Sequence, residues 1–257
     1  MHPDPRGITV EGDLRPPLPL NEPVLSYVAG SPERAELKTT LDMMASEVID
    51  IPVIVGGEDI LTGDTAEVVM PHDHGHVLAR YHKAAPEHIQ AAIDTGHEAW
   101  HEWSNWQWQD RAAVLLRAAD LLAGPWRATL NASTMLGQSK TVYQAEIDAA
   151  CEIIDFWRFN VQYARDLYSQ QPISSPGLWN YMDYRPLEGF VYAISPFNFT
   201  SIGGNLPTAP ALMGNVAIWK PARTSLYCSY FLMRLLQEAG LPDGVIIFLP
   251  GNSGQIS

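Results

Sequence analysis

The sequence predicts an α/β protein: a parallel sheet with flanking helices, preceded by an extended amino-terminal arm and helices. Three observations carry this. Residues 190–222 hold a strand, a turn, a helix and a second strand in about thirty residues, close to one βαβ unit. A third apolar run, Val245–Leu249, follows a further helical segment. Short apolar strands alternating with helices indicate parallel pairing.

The elements follow in chain order. Residues 1–30 are rich in Pro, Gly and polar residues and read as an extended arm. Ser31-Pro32 opens a helix running through Leu37, Leu41 and Met44. Ile51–Val55 and Glu67–Met70 read as strands around turns at Gly56-Gly57 and Gly63-Asp64. Pro86 opens a helix toward Trp103, and Asp110 opens another that Gly124-Pro125 ends. A short helix stops near Gly137. A long helix is predicted from about Thr141 to Ser169, because Ile147, Cys151, Ile154, Trp157, Val161, Ala164 and Tyr168 recur at three-four spacing. Leu178–Arg185 alternates as a strand with two usable faces. A helix from about Ser225 to Ala239, stopped by Gly240, precedes the last strand.

Composition narrows the function classes. The 257 residues carry 29 acidic against 16 basic side chains, a net charge of −13. With no basic run, nucleic acid is not expected as a partner. No apolar run reaches membrane-spanning length, and the first residues hold no apolar secretory core. Two cysteines build no disulfide framework, so a reducing, cytoplasmic location is expected.

The chemistry concentrates in the βαβ unit. Phe190–Ile194 has the content of a buried strand, and Pro196 and Asn198 stop it. Val216–Trp219 is the second strand, with Lys220-Pro221 at its carboxyl end. Asn198 and Lys220 therefore emerge on the edge of the sheet where ligands bind in open parallel folds. Taken singly, each has an ordinary use, as a turn Asn and a snorkelling Lys.

Ser195-Pro196-Phe197-Asn198-Phe199 and Trp219-Lys220-Pro221-Ala222 resemble the aldehyde dehydrogenase superfamily, whose nucleotide domain is a Rossmann-type parallel sheet. The resemblance implies that the Asn198 amide donates to the oxyanion of a thiohemiacetal. It implies that Lys220 reaches the adenosine-ribose hydroxyls of a nicotinamide cofactor, with Ser195, Pro196 and Phe197 beside it, and that Phe199 borders the aldehyde tunnel. Within the superfamily the resemblance is to the 1-pyrroline-5-carboxylate dehydrogenase branch, through Asn21-Glu22-Pro23, Gly30–Arg34, Ala145–Asn160 and the βαβ unit. That implies NAD-dependent oxidation of L-glutamate γ-semialdehyde to L-glutamate, a homo-oligomer, and an oligomerisation strand near 176–187. Glu146 matches an acidic position near the substrate mouth, and a solvated helix carboxylate is an equal reading. Arg223 leaves NAD against NADP open, with NAD favoured by the resemblance.

The family's catalytic glutamate and nucleophilic cysteine belong to segments beyond those matched here. Cys151 and Cys228 both fall on apolar helix stripes and read as core residues. The expected division is therefore an arm and first helix over 1–60 and the amino-terminal part of an NAD-binding domain over 61–257, with the catalytic domain absent and the chain alone inactive. A different aldehyde, or a non-catalytic dinucleotide-binding or assembly module, are the alternatives.

Four further features take ordinary readings. His72, His74 and His76 read as surface loop residues rather than a metal site, and no metal is expected. The Trp100, Trp103, Trp106 and Trp108 cluster reads as helix-end packing. The acidic set Glu146, Asp148, Glu152 and Asp155 reads as a solvated face. Asn131-Ala132-Ser133 matches a glycosylation acceptor that no secretory signal accompanies.

Overall fold

The structure, a computed structural model, describes residues 15–256. The first fourteen residues of the expected arm lie outside the described residues. From Arg15 the chain runs without helix or strand to the turn at Ala29-Gly30. Helix α1 (Pro32–Ser46) starts as expected, with the Ser31 hydroxyl accepting from the Arg34 N–H.

The next apolar run divides. Strands β1 (Ile49–Ile51) and β2 (Val53–Val55) flank Pro52, which has no N–H to continue a ladder. Strand β1 pairs in parallel with β5 (Asp73–His82), and β5 pairs antiparallel with β4 (Thr65–Met70), making a three-stranded sheet. Strand β2 pairs with β3 (Glu58–Ile60) and joins the main sheet, whose order is β3-β2-β8-β7-β6. The others are β6 (Phe190–Ile194), β7 (Val216–Lys220) and β8 (Ile246–Phe248). Strands β6, β7 and β8 are parallel, and β2 and β3 are antiparallel. The sheet is therefore mixed, and residues 53–60, grouped with the arm in the sequence reading, contribute two of its strands.

The helices α2 (Pro86–Trp103), α3 (Trp108–Ala123) and α4 (Arg127–Gln138) follow the expected order. Gly137 does not stop α4. It lies inside the helix, where its lack of a side chain admits Tyr227, whose Cβ would stand 3.2 Å from a β-carbon, and Ser139 ends the helix with φ 54°. The long helix is not uniform. It begins as α5 (Val142–Ala145), widens into a π-helical turn over Glu146–Glu152 and continues as α6 (Ile153–Ser169). Such insertions often mark functional positions. Helix α7 (Thr200–Leu212) crosses between β6 and β7, and α8 (Leu226–Glu238) between β7 and β8. Gly204 lets α7 press on its neighbours: a β-carbon would lie 2.3 Å from Ile153 Cδ1 and 2.5 Å from Leu232 Cδ2.

The tryptophans pack at helix ends. Trp103 is buried and donates to the Ala211 carbonyl, and Trp108 stacks on Tyr168. The histidine run departs from its loop reading: His74 and His76 lie on β5 after a turn at Pro71-His72. The expected strand over Leu178–Arg185 does not form. Residues 172–189 hold only an isolated Ser175–Leu178 bridge, and Ile173 (91% exposed) and Trp179 (83% exposed) face outward. A strand needs a partner ladder, and this segment has none among the described residues.

The arm is fixed by the π-helical turn. The Glu146 carboxylate, 0% exposed, accepts from the Leu25 N–H at 2.7 Å and the Tyr27 hydroxyl at 2.8 Å. Arg127 donates to Glu146 at 2.5 Å, to Glu22 at 2.5 Å and to the Pro23 carbonyl at 2.8 Å. Asn131, also buried, donates to Glu146 at 2.8 Å, so the glycosylation match lies in the core. Asp155 accepts from the Glu22 N–H, and Arg158 pairs with Glu22. The solvated-face reading of the acidic set is thus overturned for Glu146 and Asp148, both buried. Their partners lie far away in sequence, beyond the reach of helical periodicity.

Burial raises the Glu146 pKa, but hydrogen bonds from Arg127, the Leu25 N–H, Asn131 and Tyr27 outweigh it, leaving the carboxyl below its ordinary range. A folded pKa depressed below the unfolded one stabilises above the unfolded value, about 4.3, and that contribution is lost as pH falls through the folded value. Acid titration should therefore release the arm below about pH 4. Glu146→Ala should cost about 3–5 kcal/mol at neutral pH, because it leaves Arg127 buried and underpaired. Urea unfolding measures this, and a loss under about 1 kcal/mol would contradict it.

Candidate functional site

The site forms where β6 and β7 end. Ile194 and Lys220 are register partners in the parallel ladder, so the segments after them leave the sheet side by side. After β6, Ser195 is buried and its hydroxyl accepts from the Trp219 Nε1–H at 2.9 Å. The Pro196 carbonyl accepts from the Ser225 hydroxyl at 3.3 Å. Phe197 and Asn198 are then exposed in a bend, and Phe199 precedes α7. The Asn198 amide, exposed, makes no hydrogen bond to a described residue.

Helix α7 lacks a cap of its own, since Phe199 stands at its N-cap. Asp148 replaces it. Its carboxylate accepts from the Thr200 N–H at 2.9 Å and the Ser201 N–H at 3.0 Å, and an acidic group complements the positive helix end. Lys140 pairs with Asp148 at 2.6 Å and sits 4.6 Å above the Phe199 ring. The Ser201 hydroxyl lies 2.8 Å from Asp148 and 2.9 Å from Glu152, and its single proton serves one of them at a time. The sequence reading missed Asp148 and Glu152 as site residues. Position-wise, Glu152 flanks the first turn after Asn198, whereas the Glu146 oxygens are taken up by the arm, Arg127 and Asn131.

Lys220 is 4% exposed and has no hydrogen-bond or ion-pair partner among the described residues. Burial lowers its pKa. The stem is enclosed, whereas the ammonium itself keeps access to solvent at the end of β7. Arg223, in a 3₁₀ turn over Arg223–Ser225, is exposed. Neither cysteine suits a nucleophile. Burial, with the Glu146 charge, pushes the Cys151 thiol up to about 12. Burial also raises Cys228, whose thiol lies 3.0 Å from the Gln138 amide. Among the described residues, no three His, Cys, Asp or Glu side chains group to hold a metal ion.

Residues 61–257 match the aldehyde dehydrogenase family model, and the chain belongs to that family. Its relatives are more particular. It is 51% identical over 235 residues to the delta-1-pyrroline-5-carboxylate dehydrogenase of Agaricus bisporus, covering 91% of this chain and 43% of that protein. The mitochondrial delta-1-pyrroline-5-carboxylate dehydrogenase of Homo sapiens is 51% identical over 232 residues, covering 90% of this chain and 41% of that one. The crystal structure of the Mycobacterium tuberculosis delta-pyrroline-5-carboxylate dehydrogenase bound with NAD superposes with a TM-score of 0.95 at 53% identity, over 96% of this chain and 46% of that one. The chain thus spans under half the length of the relatives it matches.

The unpartnered ammonium generates a stability prediction. Lys220→Met should leave the ligand-free chain at least as stable, because it removes a partly desolvated charge and keeps the apolar stem. A fall in Tm on that substitution would mean that Lys220 is satisfied without a ligand.

Proposed function

We propose that the protein to which these residues belong oxidises L-glutamate γ-semialdehyde, the open form of 1-pyrroline-5-carboxylate, to L-glutamate with NAD. The observation that carries this reading is the pairing of Ile194 with Lys220. It sets a free Asn198 amide and an unpartnered Lys220 ammonium on one sheet edge, in a chain about half identical to pyrroline-5-carboxylate dehydrogenases.

Lys220 would hold the ribose hydroxyls, with Ser195, Pro196 and Phe197 along the cofactor's path. When bound, NAD supplies the hydride acceptor. The Asn198 amide donates to the oxygen of the aldehyde as it gains charge under thiolate attack, a stabilisation made in the transition state. The thiolate comes from outside these 257 residues, since both cysteines here are buried with raised pKa. Phe199 borders the aldehyde's approach. Glu152, rather than Glu146, is the carboxylate at that mouth, on the support of its place beside Ser201.

The residues 176–187 pair with another subunit of a homo-oligomer; their exposed apolar side chains support this. Two free, buried cysteines fit a reducing compartment, either the cytoplasm or the mitochondrion for which several relatives are named. No helix among the described residues is long and apolar enough to cross a membrane.

The whole protein should reduce NAD in the presence of the semialdehyde, and Asn198→Ala should lower kcat by about 10²–10³ with little change in the KM for NAD. A loss under threefold would remove the oxyanion role. The 257-residue chain alone should show no turnover; activity abolished by Cys151→Ser would restore that cysteine as the nucleophile. A wild-type preference for NADP, lost on Arg223→Glu, would reverse the cofactor assignment. Trp179→Asp with Tyr181→Asp should shift the whole protein to smaller species in sedimentation, and an unchanged profile would place the subunit contact elsewhere.

A further inference from the structure

Asn198 has no anchor of its own. Its amide position is inherited from the two ends of the bend that carries it. The upstream end is fixed at Ser195 by Trp219, through the hydrogen bond of 2.9 Å. The downstream end is fixed at Thr200 and Ser201, and there the anchor is a charged residue from another element. Asp148 is 3% exposed and takes both leading N–H groups of α7, at 2.9 and 3.0 Å. Lys140 balances its charge at 2.6 Å and covers Phe199 at 4.6 Å. Beneath them the Thr200 hydroxyl lies 2.8 Å from that of Thr134 and accepts from the Gln138 amide at 3.1 Å. Such an investment of buried charge is more than a helix cap needs, because an ordinary cap is one side chain on the helix's own N-cap residue.

We propose that Asp148, with Lys140 as its counterion, is a positioning residue for catalysis: it fixes the amino end of α7 and thereby the Asn198 amide and the Phe199 ring. The proposal rests on the oxyanion reading of Asn198. Asp148 is buried and its oxygens are taken up by Lys140, Thr200 and Ser201, so it acts through α7. In Asp148→Asn, one carboxylate oxygen becomes an NH₂ group facing other donors, so at least one α7 N–H or the Lys140 ammonium loses its acceptor. The bend then shifts, and displacements of about 1 Å cost up to about 10²-fold in rate.

The test is a double-mutant cycle in the whole protein, assayed by NAD reduction with the semialdehyde. Asp148→Asn should lower kcat by about tenfold to 10²-fold with the KM for NAD little changed. In the Asn198→Ala background the same substitution should have almost no further effect, because it acts through the group already removed. A purely structural role would instead lower kcat by the same factor in both backgrounds, or leave kcat alone and lower Tm, and either result overturns the proposal. If Asp148→Asn is insoluble, Lys140→Met takes its place, with an expected loss of roughly threefold to tenfold and the same cancellation. A loss under threefold in Asn198→Ala alone would overturn the oxyanion reading and this proposal with it. A full loss there, with independent Asp148 or Lys140 effects, would overturn this proposal only.

Discussion

The Glu146 carboxylate is the constraint on which the arm and its packing depend. It is buried, and four groups from two parts of the chain converge on it: Arg127 and Asn131 from α4, the Leu25 N–H and the Tyr27 hydroxyl from the arm. A buried carboxylate is tolerable only with that degree of satisfaction. The cluster also holds Tyr27 at φ 52°, a left-handed conformation that a bulky residue adopts only under surrounding constraint. The arm's other ties are the contacts of Asn21 and Glu22 with Asp155 and Arg158 and the packing of Leu25 and Tyr27, since Leu18, Leu20, Val24 and Val28 are exposed.

The same π-helical turn serves a second purpose. Two residues beyond Glu146, Asp148 points its carboxylate the other way, onto α7. An unbroken α-helix presents one buried stripe, whereas this turn buries Glu146, Asp148, Ala149, Ala150 and Cys151 together. The widened turn lets one short segment tie down the arm on one side and the bend carrying Asn198 on the other. Lys220 ends a fully buried strand with its stem enclosed and its ammonium free of protein partners among the described residues.

Legibility in the sequence followed the range of the interactions. Strand Phe190–Ile194 was readable to its ends from its β-branched and aromatic content, although it is an edge strand with Phe190 and Ile194 exposed rather than the buried one expected, and α1 was readable from its Ser31 and Pro32. The resemblance in 195–199 and 219–222 placed Asn198 and Lys220, and the parallel register sets them together. Pro52 was visible, but not that it sends β1 and β2 to different sheets. The π-helical turn escaped because the apolar spacing through Cys151 and Ile154 continues across it. Glu146 and Asp148 were misread as solvated because their burial depends on Tyr27, Arg127 and Thr200, which no periodicity connects. The 178–185 alternation was real, yet alternation alone does not make a strand without a partner edge.

Lysine side-chain nitrogen NMR on the whole protein tests the central proposal, that Lys220 at the end of β7 meets the cofactor. Without ligand, Lys220 should titrate below an ordinary lysine, because burial disfavours its charge. Ribose hydroxyls accepting from the ammonium favour the charged form, so saturating NAD should raise that midpoint and shift the Lys220 resonance selectively. A Lys220 signal that titrates normally and ignores NAD would contradict the account.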